Sequence, residues 1–309
     1  LDAIGAAEGV LRICKICDVP AVIAVKRDAT LAGSLIDALC RAGQRDDFID
    51  PKEALPIISK QTLCVVVDTY QVGLVESKEI LEKCGKVAVI DHHRKGVGYI
   101  ENPALVCHEP YSSSASELVT ELLQYVGDRD DKPNRVEAEG LLSGIMLDTQ
   151  DFTLHTGVRT FEAAAALRRY GAETERVRQL FDVTMTEYNA KADLVEKAQM
   201  YKNCAISVGG EIAPEARVAI AQAANDLLRI QGVDASFVAV QVGGGVNISA
   251  RSLGAVNVQV IMESLGGGGH QTMAAAQLKH ITPEAARSRI ETAIDNYWAS
   301  QKKSSAAEK

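Results

Sequence analysis

The sequence lacks a hydrophobic run long enough to cross a membrane, and no signal peptide is visible at its start. It also lacks a basic stripe, because 33 Lys and Arg residues stand against 41 Asp and Glu residues and give a net charge of -8. This balance argues against a binding track for long nucleic acids. The seven cysteines lie mostly inside apolar runs, so we expect buried thiols in a reducing cytosol and not a disulfide framework.

The 309 residues, 47% of them hydrophobic, are enough for two domains. Strands alternate with helices in the first half, which predicts an α/β fold with a parallel sheet. We expect an N-terminal domain over residues 1–183, a helical connector over 184–201, a smaller α/β domain over 202–303 and a disordered tail over 304–309. Because residue 1 is Leu and not Met, we expect this chain to be a fragment of a longer protein.

An Asp-His-His sequence at residues 91–93 follows the aliphatic run 86–90, which has the composition of a buried strand. Ligands of open α/β sheets bind at the carboxyl ends of the strands, so Asp91, His92 and His93 are candidates for a binding site. A solvated turn that happens to contain two histidines explains the same three residues when they are considered alone.

Three further aspartates strengthen the functional interpretation. Asp68 ends a second aliphatic run, Asp148 ends a helix-like stretch, and Asp2 precedes an Ala-rich stretch. Carboxylates mixed with imidazoles suit Mn²⁺, Mg²⁺, Co²⁺ or Zn²⁺ better than Ca²⁺, which takes oxygen ligands. Several shared carboxylates favour two ions about 3.5–4 Å apart, the usual arrangement for hydrolysis of phosphate esters.

The second half contains four consecutive glycines, Gly266–Gly269, followed by His270. Glycines let backbone N–H groups approach a phosphate, and His270 could donate a hydrogen bond to it. Arg251 lies at the end of a predicted strand and suits a phosphate or carboxylate. The alternatives are a helix C-cap with a loop for the glycines and a surface ion pair for Arg251.

The segment Ser112–Glu117 predicts a helix N-terminus in which Ser114 and Glu117 form a capping box. An anion could bind the free N–H groups of that first turn, which makes Ser113 and Ser114 secondary candidates for substrate binding. His108 and His155 have no partner that the sequence identifies, so we interpret them as structural or exposed.

These segments resemble the DHH phosphoesterase superfamily with its DHH-associated second domain, and most of all its GdpP (YybT) branch of bacterial cyclic-di-AMP phosphodiesterases. The resemblance rests on residues 1–7, 65–69, 90–94, 112–118, 144–149, 159–164, 248–252 and 266–270. Asp-His-His alone marks the superfamily, whereas residues 159–164 and 249–252 point to the GdpP branch. One departure matters: the family motif His-x-x-x-Asp-x-Asp would start before Leu1, and only its last aspartate, Asp2, is in this chain.

The resemblance implies a role for each matching residue. Asp2, Asp68, His92 and Asp148 would bind the second of two Mn²⁺ ions, and Asp68 would bridge both. His93 would lie beside the scissile phosphate, and Asp91 would orient its neighbours. Substrate would be bound across a cleft between the two domains, which would contain the active site; the residues expected to bind it are Asn247, Arg251, Ser252, Gly268, Gly269, His270, Ser113 and Ser114.

The function that the resemblance implies is Mn²⁺-dependent hydrolysis of cyclic di-AMP to linear pApA. An oligoribonuclease or pAp phosphatase of the same superfamily, or an inactive nucleotide-binding fragment, are the alternatives. The partners would be cyclic di-AMP and pApA, with no long nucleic acid and no direct membrane contact by this segment. A homodimer is a further expectation. The parent protein would be anchored in the cell membrane through upstream helices, followed by PAS and GGDEF domains, with this segment in the cytosol.

Overall fold

A computed structural model describes residues 1–93, 98–128, 131–212, 217–269 and 271–307. The described chain divides into two units, Leu1–Asp182 and Val183–Lys309. No helix within these described ranges is both long and apolar enough to cross a membrane.

The first unit places helices around short parallel strands. Strands β1 and β2 pair with each other, and β3, β4 and β5 form a separate three-stranded sheet in that order. The helices are α1 Asp2–Ile16, α2 Gly33–Leu39, α3 Pro51–Ile57, α4 Lys78–Lys83, α5 Ala115–Leu123, α6 Arg135–Asp148, α7 Val158–Arg169 and α8 Thr174–Gln179. The strands are β1 Ile23–Ala24, β2 Phe48–Ile49, β3 Leu63–Val67, β4 Lys86–Asp91 and β5 Leu105–His108.

The parallel α/β architecture that the sequence predicts is confirmed. The strands β3 and β4 consist mostly of aliphatic and β-branched residues, and Val66, Ala88, Val89 and Ile90 are buried. One core of this unit lies between α1, α5, α6 and α7, where residues such as Leu118, Leu141 and Ile145 are fully enclosed. That core fixes the ends of α1, α5 and α6 relative to the strand ends.

The second unit is a six-stranded mixed sheet with the order β10-β11-β9-β8-β7-β6, in which only the β7–β8 pairing of the described strands is parallel. Its strands are β6 Gln199–Tyr201, β7 Cys204–Glu211, β8 Ala235–Val242, β9 Gly245–Ser252, β10 Gly268–Gly269 and β11 Met273–Lys279. Its helices are α9 Met185–Glu196, α10 Arg217–Leu227, α11 Val258–Ser264 and α12 Pro283–Ala307.

Two features of the second unit differ from the sequence-based expectation. The helix α9, expected in a separate connector, contributes Leu194 to a core that it shares with α10 and the sheet, so it belongs to this unit. Helix α12 continues through Ala307 and so overlaps the segment 304–309 that the sequence predicts as a disordered tail, which stays a prediction. The last residues, 308–309, lie outside the described part of the chain.

Helix α10 packs against one face of this sheet. Alternate residues of β9 (Val246, Ile248 and Ala250) point into the core beneath α11 and α12. The intervening residues therefore face the other side, where α10 packs over Val238 and Val240 of β8. A groove of about 510 Å³ remains beside α10, lined by residues that include Asn247, Ser249 and Gln277.

Candidate functional site

The first element of the site is Asp68, which directly follows β3. Its backbone N–H continues the ladder to Ile90 O at 2.9 Å, while its φ of +62° lies in the left-handed region. A non-glycine residue in this region is strained by about 1 kcal/mol, and such strain is concentrated at functional sites. The turn ends the strand and places the Asp68 carboxylate at the carboxyl edge of the sheet.

Asp2 reaches the site from the start of α1 and is only 2% exposed. Its two carboxylate oxygens accept hydrogen bonds from Ala115 N at 2.8 Å and Ser116 N at 2.9 Å, at the start of α5. Burial, followed by repulsion from Asp68, raises the pKa of Asp2 to about 6, although the Ser116 hydrogen bonds oppose this shift. Two N–H groups in the first turn of α5 thus already bind an anionic group, the Asp2 carboxylate.

His92 lies at the centre of the cluster. Its Nδ1 is 3.3 Å from the Ser112 carbonyl oxygen, which can only accept, so Nδ1 carries the proton when the imidazole is neutral. Its Nε2 lies 3.2 Å from Asp148 Oδ2 and 3.5 Å from Asp68 Oδ1. Burial opposes protonation of His92, but the contacts with Asp148 and Asp68 outweigh it and raise the pKa to about 11.

His93 turns toward the same cluster and is oriented by Asp91. His93 Nδ1 lies 2.8 Å from Asp91 Oδ1 and 3.7 Å from Asp68 Oδ1. The hydrogen bond to Asp91 outweighs burial and raises the pKa of His93. Asp91 is fully buried, and the same Oδ1 also accepts from His93 N at 3.2 Å, so its position is fixed by its own strand and turn.

Asp148 is the last residue of α6, and the turn that follows it was not foreseen. Gln150, Asp151 and Phe152 have consecutive φ values of +48°, +56° and +63°, all in the left-handed region. The buried Thr149 holds this turn, because its hydroxyl accepts from Phe152 N at 2.9 Å and donates to Ile145 O at 2.7 Å. No sequence signal marked the turn, since glycine, the usual residue for this conformation, is absent from positions 149–156.

Two overlapping groups of side chains could each hold a cation. The first consists of Asp2, Asp68, His92 and Asp148, and the second of Asp68, His92 and His93. Within each group, one ligand atom from every residue lies within 4.8 Å of the others. Asp68 Oδ1 and His92 Nε2 are buried, and apart from their ionic contacts within the cluster they form no hydrogen bond of good geometry among the described residues. Such atoms are costly unless something binds them, and their oxygen and nitrogen donors suit a first-row divalent ion. The residues therefore fit the metal centre that the resemblance implies.

The hydroxyl groups of the two serine candidates are used inside the protein. Ser113 and Ser114 are 2% and 0% exposed; Ser113 Oγ donates to Glu117 at 2.5 Å, and Ser114 Oγ accepts from Glu117 N at 3.0 Å. The structure thus gives both hydroxyls a structural role, and substrate binding by Ser113 and Ser114 stays a prediction. The capping box is also only half formed, because the Glu117 carboxylate binds Ser113 and not the Ser114 amide.

His108 has partners that the sequence did not identify. Its Nε2 lies 2.5 Å from the His93 carbonyl oxygen, and its ring packs edge-on against Tyr70 with centroids 5.7 Å apart. His108 therefore supports the backbone of the Asp-His-His turn from β5. His155 is exposed, as expected for one of the two roles considered for it.

In the second unit, Arg251 is a half-buried cation that has no carboxylate partner among the described residues. Its Nη1 donates to Ser249 Oγ at 3.1 Å and to Ala250 O at 2.9 Å, and burial lowers its pKa. No carboxylate within the described ranges lies within 4 Å of its guanidinium, and its Nε is buried without a hydrogen-bond partner. Asn247 Oδ1, on the same side of β9, is likewise unpartnered among the described residues. These atoms are suited to an anionic, hydrogen-bonding ligand.

The remaining candidates for substrate binding in the second unit are Ser252, Gly268, Gly269 and His270. Ser252 is 3% exposed, and its hydroxyl donates to Val256 O at 2.6 Å, so it stabilises a turn; its role in substrate binding stays a prediction. Gly268 and Gly269 form β10, and Gly269 has φ of +147°. A Cβ at Gly269 would lie 2.5 Å from Met273 O, so a steric need for glycine exists there. His270 lies outside the described residues.

Comparison with known proteins agrees with this geometry. The model of the DHH family, N-terminal domain, matches residues 1–145, and that of the DHHA1 domain matches residues 212–299. The chain belongs to the DHH phosphoesterase superfamily. The resemblance that the motifs indicated is thereby confirmed at the level of the superfamily and its two domains.

Among characterised relatives, the cyclic-di-AMP phosphodiesterase GdpP of Geobacillus thermodenitrificans is 45% identical over 303 residues, and the cyclic-di-AMP phosphodiesterase PdeA of Listeria monocytogenes is 41% identical over 303 residues. Each match covers 96% of this chain but 46% of the relative, so the chain spans about half the length of these relatives. An exopolyphosphatase-related protein from Bacteroides fragilis has the same fold, with a TM-score of 0.81 at 20% identity over 96% of this chain and 88% of that one.

Proposed function

We propose that this DHH chain hydrolyses cyclic di-AMP to linear pApA with the help of bound Mn²⁺. The observation that carries the proposal is the convergence of Asp2, Asp68, His92 and Asp148, which each place one ligand atom within 4.8 Å of the others. Sequence identities of 45% and 41% to two cyclic-di-AMP phosphodiesterases support the choice of substrate. The resemblance also supports two ions per site in the intact protein, a cytosolic position and a membrane-anchored parent, which stay predictions.

The cluster Asp2, Asp68, His92 and Asp148 would hold the metal, which when bound stabilises hydroxide and neutralises charge on the phosphate. The contribution of His93 follows from its own contacts. Asp91 favours the protonated imidazolium, so His93 can donate a hydrogen bond to a phosphate oxygen as negative charge develops there. In the net reaction water adds to phosphorus, the bond to the 3′-oxygen breaks, and that oxygen leaves with a proton.

The second unit would bind the rest of the dinucleotide. The Arg251 guanidinium has no anionic partner among the described residues, so a phosphate would offset the free energy lost by burying its charge. Asn247 Oδ1 would accept a hydrogen bond from a base or ribose donor. Gly269 allows the backbone of β10 to lie close to β11.

The test is Mn²⁺ binding by calorimetry, together with hydrolysis of cyclic di-AMP, cyclic di-GMP, pApA and pAp followed by chromatography. Asp68→Ala should abolish Mn²⁺ binding and cyclic-di-AMP hydrolysis, because Asp68 belongs to both candidate ion groups. Asp28→Ala, at an exposed aspartate outside these groups, is the matched control and should behave as the parent chain. Unchanged Mn²⁺ affinity in a folded Asp68→Ala protein would contradict the proposed metal centre, and preferred turnover of pAp would contradict the proposed substrate.

A further inference from the structure

Glu117 is a buried carboxylate with no direct part in the proposed metal centre. It lies in the first turn of α5, is 1% exposed, and has no Lys or Arg nitrogen within 4 Å in the part of the chain that the structure describes. Three hydrogen bonds hold it: from Ser113 N at 3.2 Å, from Ser113 Oγ at 2.5 Å and from Thr160 Oγ1 at 2.7 Å. Burial of a carboxylate is unfavourable, so a site that keeps it must gain from the groups it holds.

The first group that Glu117 holds leads to His92. Because both the N–H and the hydroxyl of Ser113 bind the carboxylate, the backbone at Ser113 has little freedom. The preceding carbonyl, that of Ser112, is the partner of His92 Nδ1 at 3.3 Å. This carbonyl fixes the imidazole so that its Nε2 faces Asp68 and Asp148, which is how partners behind a metal-binding histidine usually act.

A second connection links Glu117 to Asp2 through the backbone at the start of α5. The residue before Glu117 is Ser116, whose N–H, with that of Ala115, donates to the Asp2 carboxylate. The Glu117 hydrogen bonds hold the first turn of α5 against the segment that precedes it. They therefore also fix the two N–H groups that position Asp2.

A third connection links Glu117, through Thr160, to the segment after Asp148. Thr160 lies in the first turn of α7, where its Oγ1 accepts from Gly157 N at 3.1 Å while donating to Glu117. Gly157 ends the segment that begins at Thr149, directly after Asp148. The single Thr160 hydroxyl therefore connects the end of that segment to α5.

We propose that Glu117 is a positioning residue for the metal centre, acting through Ser113 on His92, through the start of α5 on Asp2 and through Thr160 on the segment after Asp148. This role rests on the proposed metal centre. It also gives a function to the Ser112–Glu117 and Arg159–Ala164 segments, which the ligand set alone leaves unexplained. The position of Glu117 should thus set the affinity for a divalent ion even though its carboxylate does not bind it.

The test measures the Mn²⁺ dissociation constant of the full chain by calorimetry, with thermal unfolding of the metal-free chain recorded in parallel. Thr160→Val removes the hydroxyl at nearly constant volume and should weaken Mn²⁺ binding about 10- to 100-fold, the usual effect of losing such a supporting partner. Thr160→Ser restores the hydroxyl and should restore the affinity to within about threefold. Ser113→Ala is a second, milder variant, and Ser143→Ala, at a fully buried serine of α6 bonded to Gly140 O, is its matched control.

Rescue by Thr160→Ser, with Ser143→Ala at parental affinity, would support the positioning role. Parental Mn²⁺ affinity in folded Thr160→Val and Ser113→Ala proteins would overturn it, even if both unfold at lower temperature, because a purely structural role predicts that result. If Thr160→Val does not fold, Ser113→Ala decides by the same comparison. Failure of the parent chain itself to bind Mn²⁺ would instead contradict the proposed metal centre.

Discussion

The contact between α1 and α6 brings Asp2 near Asp148, and it depends on the absence of a side chain at Gly144. A Cβ added there would lie 2.5 Å from Asp2 Oδ1 and 2.9 Å from Asp2 Cα. The first atom could move by side-chain rotation, but the second belongs to the backbone of α1. Gly144→Ala therefore forces α1 away from α6 at the position where Asp2 enters the site.

Two opposing terms set the expected magnitude. Alanine in a helix is favoured over glycine by about 1 kcal/mol. Overpacking a tight contact costs about 1–3 kcal/mol, and a backbone clash lies at the upper end of that range. We expect the free energy of unfolding of the first unit to fall by about 1–2 kcal/mol and the Mn²⁺ affinity to fall at least tenfold, because Asp2 is displaced.

Guanidinium denaturation followed by two probes tests this expectation. The only tryptophan of the sequence, Trp298, packs against the core of the second unit, so its fluorescence reports that unit, whereas circular dichroism reports both. Gly144→Ala should shift the dichroism transition more than the fluorescence transition. Gly33→Ala in α2 is the control, since a Cβ there would meet nothing within 4 Å. A Gly144→Ala protein with parental unfolding and parental Mn²⁺ affinity would refute the reasoning.

Three further predictions address other parts of the chain. Arg251→Met should leave the unfolding free energy unchanged or raise it by about 1 kcal/mol, and it should weaken cyclic-di-AMP binding in calorimetry at least tenfold. Tighter binding would contradict the proposal that Arg251 binds a phosphate. Gly269→Ala should lower the unfolding free energy by about 1–3 kcal/mol and Gly268→Ala should not. Of these two glycines, only Gly269 combines a positive φ with a close backbone neighbour. Equal effects of the two substitutions in denaturation would contradict this. Burial, and then repulsion from Glu137, raise the pKa of Glu8 from 4.5 to about 8, so folding favours the protonated carboxyl group. The free energy of unfolding should therefore fall as pH rises from about 4.5 through 8, by up to about 1.4 kcal/mol per pH unit. Glu8→Gln should flatten that dependence in denaturation measured at several pH values.

The sequence was most informative where local pattern determines structure. Apolar runs predicted β3 and β4, and the polar residue after each run, Asp68 or the Asp91–His93 turn, lies near the strand end in the structure. The hairpin β8–β9 was likewise signalled by two strand-like runs around glycines. In each case neighbouring residues decide the conformation, because short aliphatic runs and glycine turns are local properties.

Long-range contacts explain what the sequence could not provide. Ala115 N, which binds Asp2, is separated from it by 113 residues, and Ser112 O, which orients His92, by 20. No periodicity predicts such pairs, since only the packing of α1, α5 and α6 creates them. The left-handed run at Gln150–Phe152 was missed for a related reason: Thr149 and tertiary packing stabilise it against the intrinsic preference of its residues.

The two oxygens of Asp2 show how the site keeps its shape before an ion binds. Repulsion from Asp68 and burial both favour protonation of Asp2, which would remove its charge as a ligand. The N–H groups at the start of α5 oppose this, because they donate to both oxygens and the helix dipole favours a negative charge there. Each carboxylate oxygen has further lone pairs, so Asp2 can cap α5 and bind a cation at once. The helix start therefore does not compete with the metal for Asp2; it holds the carboxylate in the position and charge state that the metal requires.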